Sequence, residues 1–177
     1  FRSNVAKQCI QKGACIVNDI SAGNMDPKMF ETVAKLQVPY ILMHMQGTPQ
    51  NMQANPTYTN ILKDILYYFS QKIEELRTLG VNDIIADVGF GFGKTLEHNY
   101  ALLSNLALFK NLEVPLLVGL SRKSMLYKPL NNTSASALNA TTTANTIALL
   151  NGVTILRVHD VKEAVEAVKI VELTTKY

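Results

Sequence analysis

In the segment "IIADVGFGFGKT" (Ile84 to Thr95) an apolar run delivers one acid, Asp87, into a Gly-Phe-Gly-Phe-Gly loop that ends on Lys94 and Thr95. The ending imitates a phosphate-binding loop. Such a loop needs a glycine five positions before the one preceding its lysine, so that backbone N–H groups can ring the phosphates. Counting back from Gly93 reaches Val88, and Phe90 and Phe92 occupy the loop where small residues are required. A carboxylate with aromatic walls suits a flat, hydrogen-bonding ring instead. Asn18, in "CIVND", adds an amide with both a donor and an acceptor. Together with the acceptor oxygens of Asp87 it can read the edge of an amino-pyrimidinone ring. Each residue also has a plainer reading: Asn18 or Asp19 caps a turn, and Asp87 pairs with a lysine such as Lys94.

Two further segments carry cations. "VGLSRKSM" (Val118 to Met125) places Arg122, Lys123 and the hydroxyls of Ser121 and Ser124 just after Gly119. A helix starting there would combine its free N-terminal amides with Lys123 in an anion or polar-ligand site, whereas an exposed loop would leave the charges solvated. In "ILRVHD", Arg157 and His159 are two apart, so strand alternation points both to one face, a pairing suited to phosphate or diphosphate. His44, between Met43 and Met45, reads as a structural hydrogen bonder beside an apolar wall, and His98 reads as a helix cap.

These groups need elements to position them. Five apolar runs, "CIVND", "YILMHM", "IIADVG", "LLVGLS" and "ILRVHD", alternate with helical patterns and read as strands buried on both faces. Asp26-Pro27 opens a helix over Lys28 to Gln37. Ile61, Leu62, Ile65, Leu66, Phe69, Ile73 and Leu76 form a helical stripe that Gly80 ends. A last helix, Val161 to about Leu173, lines up Val161, Val165, Val168 and Val171, and Gly13 and Gly152 close the helices before the first and last strands. Strand-helix alternation implies a parallel α/β sheet. Every strand ends in a potentially chemical group, which favours a (β/α)₈ TIM barrel, whose strand ends all converge on one mouth, over a doubly wound sheet. A full barrel needs about 250 residues and eight units. The 177 residues are expected to form a single domain supplying five units, with three N-terminal units lying outside this chain.

Composition excludes several classes. No apolar run approaches the roughly 20 residues of a membrane span, and no secretory leader is seen, so the chain is expected in the cytoplasm. A net charge of +3 without a basic run gives no footprint for nucleic acid. Cys9 and Cys15 make no disulfide framework and read as reduced, partly buried thiols.

In their order and intervals, "NDI", "LMHMQGTP", "DVGFGFGK", "HNYALL", "LLVGLSRKS" and "LRVHDV" closely resemble the dihydropteroate synthase family of folate biosynthesis, over the whole chain. The resemblance implies a pterin-binding TIM barrel that joins p-aminobenzoate to 6-hydroxymethyl-7,8-dihydropterin diphosphate, releasing diphosphate and using Mg²⁺. It implies a transferase and sulfonamide target, active as a homodimer. Asn18, Met43, Asp87, Lys123 and Arg157 match pterin-binding positions; Phe92, Gly119 and Ser124 match the p-aminobenzoate pocket; Arg157 and His159 match diphosphate ligands. Lys123, Arg157 and His159 are thereby the implied catalytic set, and the metal ligand is expected upstream of this chain. The alternatives are a methyltetrahydrofolate-dependent methyltransferase barrel and an inactive pterin-binding fragment. Two departures stand out. Val88 replaces a proline common after the loop's aspartate, and "NNTSASALNATTTAN" lacks an arginine common in that stretch.

Overall fold

The computed structural model describes residues 1–176. Helix α1 (Ser3–Gln11) precedes strand β1 (Val17–Asp19); then come α2 (Met29–Leu36), β2 (Tyr40–Met43), α3 (Ile61–Thr78), β3 (Ile84–Asp87), α4 (Leu96–Ser104), β4 (Leu116–Val118), α5 (Ser124–Tyr127), α6 (Leu138–Leu150), β5 (Ile155–Leu156) and α7 (Val161–Thr174). The sheet order is β1-β2-β3-β4-β5, with each neighbouring pair parallel. A doubly wound sheet reverses its order at a switch point, whereas this sheet never does. Consecutive parallel pairing through helical connections is the wall of a β/α barrel, and the described residues form five of its units.

Register decides which side chains share a face. Val17, Tyr40, Ile84 and Ala86 stand in line with Leu42, Leu116 and Val118 on the helix-facing side, and all belong to one hydrophobic core. Alternation sends Asn18, Ile41, Met43, Ile85, Asp87 and Leu117 to the other face, the interior of the barrel wall. Helix α3 closes the core with Ile61, Ile65, Phe69, Ile73 and Leu76, as its spacing requires. The Asn60 side chain caps it by accepting from Lys63 N–H.

Several sequence expectations need correction. Regular α2 begins at Met29, one residue after the expected Lys28, whose side chain makes no capping bond; the Asp26 carboxylate does take the Lys28 amide, and the Ser3 amide as well. The outer strands are not buried on both faces, because β5 is half-exposed and Asn18 on β1 is exposed. The valine face of α7 is not the face that packs. Ala164 and Ala167 go inward, while Val161 and Val165 are about 60% exposed. Cys9 and Cys15 are both free and exposed. Among the described residues no helix is long and apolar enough to cross a membrane.

The turn after β1 hangs on Asp19, which points to the helix-facing side yet is fully buried. Its Oδ1 accepts from Ser21 N–H and Oγ at 2.9 and 2.8 Å, and its Oδ2 accepts from Gly23 N–H at 2.9 Å and the Tyr40 hydroxyl at 2.8 Å. Burial alone would raise the pKa, but these bonds outweigh it and hold the carboxyl below its usual value. Asp19→Ala is therefore expected to cost about 3 kcal/mol in urea unfolding, since two buried hydroxyls and two amides lose their acceptor. A depressed carboxylate stabilises above its unfolded pKa of about 3.9 and loses that contribution as pH falls through the folded value. The difference in stability between wild type and variant should thus shrink on acidification below about pH 4.

Candidate active site at the strand ends

Asp87 ends β3 on the interior face and is 1% exposed. Its Oδ1 accepts from Gly89 N–H at 2.9 Å, which turns the chain back under the carboxylate. Its Oδ2 lies 2.9 Å from Nη2 of Arg157, just beyond β5, but accepts no hydrogen bond of good geometry. The two residues stand on strands separated by β4, and Gly119 makes that reach possible. A Cβ there would come within 2.7 Å of the Arg157 guanidinium. The plainer reading in which Lys94 pairs with Asp87 does not hold, since Arg157 takes that place.

Lys123 approaches the same carboxylate from the turn after β4. Its ammonium donates to the Phe90 carbonyl and lies 5.1 Å from the centre of the Phe92 ring. Burial brings its pKa down to about 8, with Asp87 opposing and Arg157 adding to the fall. Phe92, Lys123 and Ser124 line one cavity of about 650 Å³, together with Gln53, Asn99 and Lys128. Helix α5, only four residues long, does begin at Ser124, which is exposed. Gly119 does not line this cavity but lies beneath Arg157. Met43 is buried on the interior face one strand from Asp87, in register with it. Asn18 shares that face on β1, exposed and level with Ile41.

His159 makes a contact that strand alternation does not describe. Because β5 ends at Leu156, strand alternation no longer governs residue 159. The imidazole instead has its Nδ1 3.0 Å from Ser121 Oγ, to which the His159 amide also donates at 3.2 Å. Arg122, left between a solvated and a binding reading by the sequence, turns away from the cavity and grips Asp160 with two bonds of 3.0 and 2.7 Å. Its backbone is left-handed, with φ of 56°, and its amide donates to Thr141 Oγ1. Ser121 and Arg122 therefore latch onto His159 and Asp160, neighbour to neighbour, which joins the turn after β4 to the turn after β5. No signal in the single sequence predicted that latch, since each pair is 38 residues apart.

His44 and His98 take the structural roles expected of them. His98 completes a capping box with Thr95 at the start of α4. His44 lies just past β2, buried, with Nδ1 3.0 Å from the Lys94 ammonium. Lys94 also donates to the carbonyls of Gly89, Phe92 and His44 at 2.9, 3.0 and 3.3 Å. Sequence reasoning missed this use of Lys94. A lysine closing a glycine loop whose carbonyls turn inward was the available sign.

The sequence profile of the family described as pterin binding enzyme matches residues 1–159. This chain belongs to that family. Among pterin binding enzymes it is 41% identical over 175 residues to the dihydropteroate synthase of Escherichia coli K12, covering 98% of this chain and 62% of that protein. The fold superposes with a TM-score of 0.95 on Yersinia pestis dihydropteroate synthase in a sulfonamide drug complex, at 42% identity, covering 99% of this chain and 64% of that one. A second structure, Thermus thermophilus dihydropteroate synthase in complex with 6HMPPP, gives 0.91 at 33% identity, covering 97% and 69%. The chain thus spans under two thirds of the length of the E. coli and Y. pestis proteins.

Among the described residues of this pterin binding enzyme, no cluster of three or more His, Cys, Asp or Glu side chains is placed to hold a metal ion. The charges at the strand ends are instead coupled through space, which gives Lys123 a signed response to its neighbours. Carbon NMR of the Lys123 side chain should titrate near 8. Arg157→Ala is expected to raise that midpoint by removing a like charge, and Asp87→Asn to lower it by removing an opposite one. Shifts in the reverse sense would place Lys123 outside the site.

Proposed function

We propose that the protein carrying this chain is a dihydropteroate synthase, a transferase of folate biosynthesis that joins p-aminobenzoate to 6-hydroxymethyl-7,8-dihydropterin diphosphate. The observation that carries this reading is the buried carboxylate of Asp87. One of its oxygens accepts no well-formed hydrogen bond, and the cations of Lys123 and Arg157 stand beside it. A carboxylate at the closed end of an apolar-walled face is suited to two N–H donors of an amino-pyrimidinone edge. The similarity to dihydropteroate synthases solved with a sulfonamide drug and with 6HMPPP supports the same ligand classes here.

In this reading Asp87 and Asn18 take the polar edge of the pterin, Met43 forms part of its apolar wall, and Arg157 lies against the ring. Arg157 also reaches the diphosphate together with His159, whose imidazole is steadied by Ser121. Phe92, Ser124 and the ground beside Gly119 receive p-aminobenzoate. Departure of diphosphate breaks the methylene C–O bond with both electrons and leaves a pterin-methylene cation. The arylamine nitrogen then forms the new C–N bond and gives up a proton. Arg157, His159 and Lys123 stabilise the departing anion by preorganised charge, and no covalent nucleophile is required. Mg²⁺ belongs to the same proposal, but no step of it passes through a metal held by the described residues. The reading also carries a cytoplasmic setting and a homodimer.

Release of diphosphate with both substrates, together with calorimetry using a pterin, tests the reading. Pterin binding with diphosphate release is the expected result. Pterin binding without turnover would indicate an inactive binding module, and methyl transfer from methyltetrahydrofolate to a corrinoid would indicate the methyltransferase alternative. Lys123→Ala and Arg157→Ala should each lower turnover by roughly 10- to 150-fold, the worth of a charge-assisted hydrogen bond of about 1.5 to 3 kcal/mol. Equal losses of stability and activity would instead make both residues structural.

A further inference from the structure

Lys94 is 3% exposed, and among the described residues no carboxylate lies within ion-pair distance of it. A buried ammonium is costly unless fully engaged, and here four atoms engage it: Nδ1 of His44 and the carbonyls of His44, Gly89 and Phe92. Two of the carbonyls belong to the loop after β3 and the third to the end of β2. The same two segments approach with no room for side chains. A Cβ on Gly89 would collide with the His44 carbonyl, and one on Gly93 would come within 2.9 Å of the Gln46 Cβ. Both glycines are left-handed, with φ of 67° and 63°. Carbonyl dipoles brought together at such range repel one another unless a cation sits among them.

We propose that Lys94 is a positioning residue: by gathering the carbonyls of His44, Gly89 and Phe92 on one ammonium it fixes the 89–93 loop. That loop presents the Phe92 ring, and the Phe90 carbonyl that holds Lys123, to the cavity read above as the p-aminobenzoate site. The proposal rests on the synthase reading for the identity of that ligand, but the clamp itself does not.

The ionisable groups facing Lys94 are His44 from the end of β2, Asp87 from β3 and Lys123 from the turn after β4. Burial lowers the Lys94 pKa to about 7, with Asp87 opposing and Lys123 reinforcing. Burial and Lys94 together hold His44 neutral, with a pKa near 2. The pair can then stay bonded on both sides of neutrality. Charged Lys94 donates to Nδ1 of an imidazole protonated at Nε2; neutral Lys94 accepts from an imidazole protonated at Nδ1 and keeps two N–H donors for carbonyls. One proton leaves for solvent and one changes place on the ring, without His44 ever becoming charged.

The test uses the intact protein that carries this chain. Lys94→Met should raise KM for p-aminobenzoate by about tenfold or more while kcat changes by less than about threefold, because Phe92 rides on the loosened loop whereas Arg157 and His159, which face the departing group, lie beyond β5 and keep their places. Calorimetric affinity for the pterin alone should be retained. An unchanged KM in a folded variant, or parallel losses in KM, kcat and pterin affinity, overturns the proposal. If Lys94→Met does not fold, nitrogen NMR of His44 in the unsubstituted protein decides. The imidazole should remain neutral from about pH 5 to about 9 while its proton passes from Nε2 to Nδ1 as Lys94 titrates. A His44 that becomes charged near its ordinary pKa, or that carries its proton on Nδ1 while Lys94 is charged, overturns it. A protein with no synthase turnover whose His44 follows Lys94 in this way would retain the clamp and sink the synthase reading alone.

Discussion

The absence of a side chain at Gly119 is the constraint on which the strand-end site depends. Asp87 and Arg157 stand on the two strands flanking β4, and the guanidinium reaches the carboxylate only by crossing the backbone of the strand between them. Any Cβ at that point meets the arginine head on. The charge of Asp87 would then lie buried with a single backbone hydrogen bond, and Arg157 would swing toward solvent. Lys123, lowered toward neutrality by burial, feels both partners, so the crossing sets the electrostatic state of a third residue. One glycine thereby arranges three charges.

Around that crossing the structure ties its loops in pairs. Lys94 draws the end of β2 to the loop after β3, while Ser121 and Arg122 draw the turn after β4 to the turn after β5. The first tie uses a buried cation and backbone carbonyls; the second uses a bidentate ion pair, about a third exposed at the arginine, together with a hydroxyl-imidazole contact. The polar stretch from Asn132 to Asn145 takes part in the second tie through Thr141 and Ser134, which bond the Arg122 backbone. The loops of a barrel mouth are thus braced by their neighbours, as positioning several small polar groups to within fractions of an ångström requires.

Much of this was legible in the sequence. The five apolar runs, the helical stripe from Ile61 to Leu76 and the glycines at helix ends each encode a local periodicity or backbone need, and all appear where expected. The meeting of Asp87, Lys123 and Arg157 at the strand ends was legible because each closely follows an apolar strand run. Pairing between distant segments was not. Nothing in a single sequence says that Arg157 rather than Lys94 takes Asp87, or that Arg122 takes Asp160, because these choices follow from strand order and loop direction. The contact of His159 with Ser121 escaped for a different reason. Alternation was extended past Leu156, where the strand had already ended. The valines of α7 misled in turn, because a helix at the side of the sheet buries small alanines against its neighbour and leaves its larger apolar face free.

The sheet is unequal from one side to the other. Strands β2 and β3 lie in its middle with nearly every side chain buried, whereas β5 is two residues long and half-exposed. The Asp87–Arg157 pair straddles that difference. Its carboxylate is 1% exposed at the end of β3, and its guanidinium, just beyond β5, is 42% exposed. The two halves of the contact consequently differ in access: the negative charge is shut away behind its own turn, and the positive one keeps a flank that a ligand can meet.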